Sequence, residues 1–180
     1  MTNNNASHGV IWITGYSAAG KTTVSRKVES ELKKLNCKTI YLDGDDLRAI
    51  FGNHWKFDKN SRIELANIYF RLCSHLSSQG YVVIISAVAL FDELLTWVKE
   101  NIPNAVQIYL NVPKDERRDR DAKTKKLFLN KNMNDESYDE PKNADLTIEN
   151  YGGNDIFDSA KEIVNFFINR LITEAARGRS

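Results

Sequence analysis

Cysteine is nearly missing from this chain: Cys37 and Cys73 are its two copies, and neither sits in a C-x-x-C pair. A disulfide framework is thereby excluded, and both read as reduced thiols of a cytoplasmic protein, most simply as small buried hydrophobes. Histidine is as sparse, and His8, His54 and His75 are scattered without metal-ligand spacing. Long apolar runs are absent too; none approaches the roughly 20 residues needed to cross a bilayer. The opening stretch, residues 1–8, is polar, lacks the apolar segment of a secretory signal and reads as a flexible tail. Charge of one sign is not in excess either: 25 basic against 24 acidic side chains leave a net +1. That balance argues against nucleic acid or an anionic membrane as partner. No internal repeat or Pro/Gly/Ser-rich linker divides the 180 residues, so the whole chain reads as one domain.

What is present is an alternation of short apolar runs and amphipathic stretches. Val10 to Thr14 is a continuous β-rich run, as expected of a strand buried on both faces. After it, Val24, Val28, Leu32 and Leu35 recur at helical spacing among Lys and Glu. Thr39 to Leu42 reads as a second strand with Asp43 to Asp46 as the loop at its end, and a long helix is expected from about Asn60 to Ser78. Tyr81 to Ile85 is the third and most apolar strand, Phe91 to Asn101 a helix, and Ala105 to Val112 a fourth strand. A charged segment from 113 to 145 carries little apolar periodicity, before a short strand at Leu146 to Ile148 and a closing helix from Ile156 to Ala176. Such alternation predicts an α/β fold: a three-layer, doubly wound parallel sheet of P-loop type. In open sheets of this kind ligands bind beyond the C-terminal strand ends.

The first of those ends carries Gly15-Tyr16-Ser17-Ala18-Ala19-Gly20-Lys21-Thr22, which satisfies G-x-x-x-x-G-K-[ST] at every specified position. Phosphate oxygens must be met at close range by several backbone N–H groups, and glycine permits that approach. A helix starting near Lys21 adds its unpaired N–H groups and positive dipole end. Lys21 is expected to contact the β- and γ-phosphates of ATP, and the Thr22 hydroxyl to ligate Mg²⁺. A switch or ATPase could share this loop, but no N-K-x-D base-recognition sequence is present. The charged segment at about 114–145 suits a lid closing over two substrates, which keeps water from ATP. Seven Lys or Arg within 114–126 are interleaved with four acids and no aromatic up to residue 126, which fits a lid or solvated helix better than a nucleic-acid surface.

The second strand end carries Asp43-Gly44-Asp45-Asp46-Leu47-Arg48. Phosphoryl transfer needs one carboxylate near the metal and one to orient or deprotonate the attacking hydroxyl, and a pair at i and i+2 can supply both. Trp55 and Phe57 follow, where an aromatic ring could stack on an acceptor base or pack into the core.

Gly15 to Thr23 followed by Leu42 to Arg48 resembles the adenylylsulfate kinase family, whose segments read G-x-S-x-x-G-K-T-T and L-D-G-D-x-[LIV]-R. The similarity continues through Arg62-Ile63-Glu64 and Gln79 to Ile84. It returns at Arg120-Asp121-Ala122-Lys123, similar to R-D-P-K-G, and at Tyr138 to Asn143, similar to Y-E-x-P-x-N. The resemblance implies a kinase that phosphorylates a ribose 3′-hydroxyl of a small anionic nucleotide such as adenylylsulfate, with Mg²⁺, Asp45 as base and Asp43 near the metal. It further implies Arg48 and Arg62 toward the acceptor's anionic group, Arg120 and Lys123 on a lid near the nucleotides, and a homodimer. The departures lie on the acceptor side. R-x-E-N-x-R-R becomes Arg62-Ile63-Glu64-Leu65-Ala66-Asn67-Ile68, I-S-P-[FY]-R becomes Val88-Ala89-Leu90-Phe91-Asp92, and K-G-L-Y becomes Lys123-Thr124-Lys125-Lys126. Related kinases of this type act on other anions such as cytidine diphosphoramidate, which is the alternative acceptor.

Overall fold

A computed structural model of the chain describes residues 8–52, 55–56, 58–123, 138–139 and 141–177. Within them the order is β1 (Gly9–Thr14), α1 (Lys21–Lys34), β2 (Thr39–Asp43), α2 (Gly44–Ile50), α3 (Lys59–Ser78), β3 (Val82–Ser86), α4 (Asp92–Asn101), β4 (Ala105–Asn111), α5 (Lys114–Ala122), β5 (Leu146–Glu149) and α6 (Ile156–Arg177). The five strands form one parallel sheet in the order β2-β3-β1-β4-β5. The chain leaves β1 toward one edge and later returns to fill the other, so the sheet's switch point lies at the C-terminal end of β1.

Side-chain alternation along each strand builds two cores. Ile11, Ile13, Val82, Ile84, Val106 and Ile108 point to the face covered by α1 and α6, where Val24, Val28, Ile163 and Phe167 meet them. Val10, Trp12, Val83 and Ile85 point the other way, against Phe70 and Cys73 of α3 and Leu94 of α4. All six residues of β1 are buried, which is why that strand reads as apolar without a period of two. Trp12 packs edge-on against Phe70, with centroids 4.6 Å apart, and donates its indole N–H to the Ala87 carbonyl at 3.2 Å. Cutting such a ring back to alanine costs roughly 3–5 kcal/mol. Cys37 and Cys73 are free thiols, and burial pushes both above their ordinary range. Among the described residues no helix is long and apolar enough to cross a membrane.

One expectation needs correction. Asp43 to Asp46 is not a loop: Asp43 ends β2 and N-caps α2, its carboxylate accepting the Asp45 N–H. Seven residues with Leu47 alone buried leave no hydrophobic period to detect. The charged segment opens with a helix, α5, whose buried side is formed by Arg117 and Asp121 rather than by apolar residues.

Candidate active site

The loop between β1 and α1 is shaped by glycine where a side chain would collide. Gly20 N-caps α1 at φ 88°, and a Cβ there would stand 2.8 Å from Asn150 Nδ2. Gly15, at φ 146°, has the Leu110 carbonyl 2.8 Å from the corresponding point. Ala18 adopts φ 62° while carrying a Cβ. The first turn of α1 holds no acidic residue, and Gly20 brings no side chain to cap it, so its N–H groups and favourable dipole end suit an anion. Lys21 Nζ donates to the Gly15 and Tyr16 carbonyls at 2.9 and 3.1 Å, arching over the loop it follows.

Asp43 meets this loop through α1. The Thr22 hydroxyl donates to Asp43 Oδ2 at 3.0 Å, and the Tyr41 phenol donates to the same oxygen at 2.6 Å. The Asp45 N–H reaches Oδ1 at 2.9 Å. In the sheet β3 lies between β1 and β2, and Asp43 pairs in register with Ser86. The approach comes from the helix, not from neighbouring strands. Burial, and then the hydrogen bond to the adjacent Asp43 carboxylate, push the Tyr41 phenol well above its ordinary range, so it remains a proton donor. Among the described residues no group of three or more His, Cys, Asp or Glu could hold a metal ion. The hydroxyl and carboxylate oxygens of Thr22 and Asp43 still fit a hard divalent cation that draws most of its remaining ligands from phosphates and water.

A cavity of about 980 Å³ opens in front of these groups. Ser17, Ala18, Gly20, Lys21, Thr22 and Thr23 line it, together with Asp43, Asp45, Arg48 and Arg62. Leu65, Ala66, Ala87, Val88, Ala89 and Phe91 give it an apolar lining. Arg62 donates to the Tyr138 hydroxyl and lies 5.0 Å from the centre of that ring, which packs on Phe91 at 5.4 Å. Asp139 anchors Tyr138: its N–H donates to the Leu90 carbonyl at 2.8 Å, and its carboxylate accepts Lys59 and the Asp92 N–H. Those two donors, Lys59 first, hold the Asp139 carboxyl below the usual carboxylate range.

Helix α5 flanks the loop between β1 and α1. Arg117 is buried, donating to the Val112 and Ser17 carbonyls with its guanidinium 4.9 Å above the Tyr16 ring. Arg120 lines the cavity and donates to the Asn150 carbonyl at 2.8 Å. Lys123 caps α5 in an exposed position, outside the cavity lining. Two residues beyond buried Asp121 a helix has turned more than halfway round. Trp55 packs against the second core, its indole donating to the Phe51 carbonyl at 3.4 Å. Phe57, Lys125 and Lys126 lie outside the described residues. Sequence reasoning missed Tyr41, Arg117 and Asn150, and gave Tyr138 no role of its own. Tyr41 alone left a signal, standing two residues before Asp43 and so on the same side of its strand.

A phosphate-binding loop at the switch point of a five-stranded parallel sheet defines the P-loop kinase fold. The chain belongs to the adenylylsulphate kinase family, matching it over residues 7–149, and is a nucleotide-binding kinase of that type. It is 33% identical over 163 residues to a cytidine diphosphoramidate kinase of Campylobacter jejuni, an alignment covering 86% of this chain and 94% of that protein. It is 37% identical over 115 residues to an adenylyl-sulfate kinase of Picosynechococcus, covering 63% of this chain and 64% of that protein. The fold is shared with a Mycobacterium tuberculosis APS kinase solved with AMPPNP and APS, at a TM-score of 0.78 and 22% identity, covering 89% of this chain and 97% of the other.

Proposed function

We propose that this chain is a single-domain cytoplasmic kinase that moves the γ-phosphoryl group of ATP to a ribose hydroxyl, the 3′-hydroxyl, of a small anionic nucleotide. Cytidine diphosphoramidate is the acceptor the observations favour. The observation that carries this choice is the apolar part of the cavity lining. Leu65 and Ala89 stand there where the adenylylsulfate kinase pattern has Asn and Ser, and Asp92, where the pattern has Arg, begins α4 beside it. Similarity along nearly the whole length of a cytidine diphosphoramidate kinase points the same way. Adenylylsulfate is the second reading, supported by the family match and by the retained Arg48 and Arg62 in the cavity lining.

In this reading the loop N–H groups and Lys21 cradle the ATP phosphates, and Arg120 flanks the nucleotide from α5. Thr22 and Asp43 would hold Mg²⁺, whose contribution when bound is neutralisation of charge across the β- and γ-phosphates. The Thr22 hydroxyl spends its proton on Asp43 and keeps lone pairs for that role. Asp45, at the start of α2, accepts the acceptor hydroxyl's proton as the oxygen bonds to the γ-phosphorus. The bond from that phosphorus to the β–γ bridging oxygen breaks, and ADP leaves with the electron pair. Arg48 and Arg62 face the acceptor's anionic group. The product tests the assignment: ³¹P NMR after incubation with ATP and cytidine diphosphoramidate should show ADP and a new ribose phosphomonoester. Release of inorganic phosphate without a new ester would instead make this an ATPase.

A further inference from the structure

Tyr41 and Asp43 stand two residues apart on β2, so strand alternation turns both toward α1. On α1, Thr22 and Arg26 stand at i and i+4 and therefore share a face. The four side chains interlock. Tyr41 donates to Asp43 Oδ2 at 2.6 Å, Thr22 donates to the same oxygen at 3.0 Å, and the Arg26 guanidinium covers the Tyr41 ring at 3.9 Å. Glu29 holds Arg26 from one turn further on, at 3.5 Å. The remaining carboxylate oxygen, Oδ1, takes the Asp45 N–H at 2.9 Å. A carboxylate has about four lone-pair directions. Donors from β2, α1 and α2 meet both of its oxygens, and so fix the carboxylate's rotation.

We propose that Tyr41 is a positioning residue for phosphoryl transfer, holding Asp43 in the orientation that lets Asp43 and Thr22 serve one divalent cation. The proposal rests on the assignment of Asp43 and Thr22 to the cation of ATP. The Tyr41 hydroxyl ends on the one oxygen that Thr22 also uses.

Tyr41→Phe keeps the ring and removes the hydroxyl. Binding of a fluorescent, non-hydrolysable ATP analogue, titrated with Mg²⁺, gives a readout independent of turnover. The half-saturating Mg²⁺ concentration should rise on the order of 10-fold, the scale of losing a hydrogen bond to a metal-bound carboxylate, while analogue affinity in EDTA stays the same. Adding Asp43→Asn to Tyr41→Phe should raise it no further than Asp43→Asn does alone, because the phenol acts through that carboxylate. Arg26→Met, at an exposed side chain, should shift it in the same direction by a smaller factor. An unchanged or lowered Mg²⁺ requirement in Tyr41→Phe, or an equal loss of affinity in EDTA, overturns the role of Tyr41. If Asp43→Asn itself leaves the Mg²⁺ requirement unchanged, the assignment of Asp43 falls, and the proposal with it.

Discussion

The side-chain amide of Asn150 donates to the Ala19 carbonyl at 2.8 Å, joining the end of β5 to the phosphate loop across 131 residues of sequence. Both residues are buried, and the Asn150 carbonyl is in turn held by Arg120. Asn150→Ala leaves the Ala19 carbonyl without this donor, a loss of about 1–3 kcal/mol. The midpoint of thermal unfolding should fall by roughly 2–10 °C for a chain of this size, and the KM for ATP should rise more than kcat falls. A variant with wild-type melting would show that the contact does not brace the loop.

Ala18 offers the opposite test. Its φ of 62° is left-handed, which costs an L-residue roughly 1–2 kcal/mol, partly offset by the larger entropy that glycine loses on folding. Ala18→Gly should therefore stabilise the protein by up to ~1 kcal/mol in urea unfolding, with ATP affinity retained.

Lys21 makes its contacts with loop carbonyls at the cavity rather than with either core. Lys21→Ala should thus fold normally by circular dichroism and lose at least ~10²-fold in kcat, the scale of removing one transition-state electrostatic stabiliser. Near-normal turnover in the folded variant is the outcome that removes the phosphate-loop assignment.

The two acidic residues should separate in kinetics. Asp45→Asn keeps size and polarity but loses the proton-accepting charge, so kcat should fall far more than ATP affinity. Asp43→Asn should chiefly raise the Mg²⁺ concentration required for activity. The reverse pattern would exchange the two roles.

How far the sequence carried can be judged from particular residues. The buried run Val10 to Thr14, the repeat of Val24, Val28 and Leu32, and the G-x-x-x-x-G-K-T spacing are local patterns, and they located β1, α1 and the phosphate loop almost to the residue. The short helix α2 escaped because capping by Asp43, not hydrophobic spacing, starts it. The bounds and inward face of α5 left no apolar signal because its buried residues, Arg117 and Asp121, are charged. Strand order was invisible, so the insertion of β3 between β1 and β2 could not be foreseen. Asn150 and Arg117 act at the phosphate loop from distances of 131 and 100 residues, and nothing local marks them.

The acceptor claim is the most exposed, and a single comparison tests it most directly: kcat/KM for cytidine diphosphoramidate against adenylylsulfate, each corrected for ATP consumption in buffer alone. Each charge-assisted hydrogen bond missing from the acceptor side is worth ~1.5–3 kcal/mol, and two such losses weaken adenylylsulfate binding by roughly 10²- to 10⁴-fold. The account predicts turnover of cytidine diphosphoramidate at ~10⁴ M⁻¹s⁻¹ or better, with adenylylsulfate at least ~10²-fold poorer. Adenylylsulfate turned over at ~10⁴ M⁻¹s⁻¹ or better, with cytidine diphosphoramidate the weaker substrate, would contradict it and leave Leu65 and Ala89 as neutral changes in an adenylylsulfate kinase.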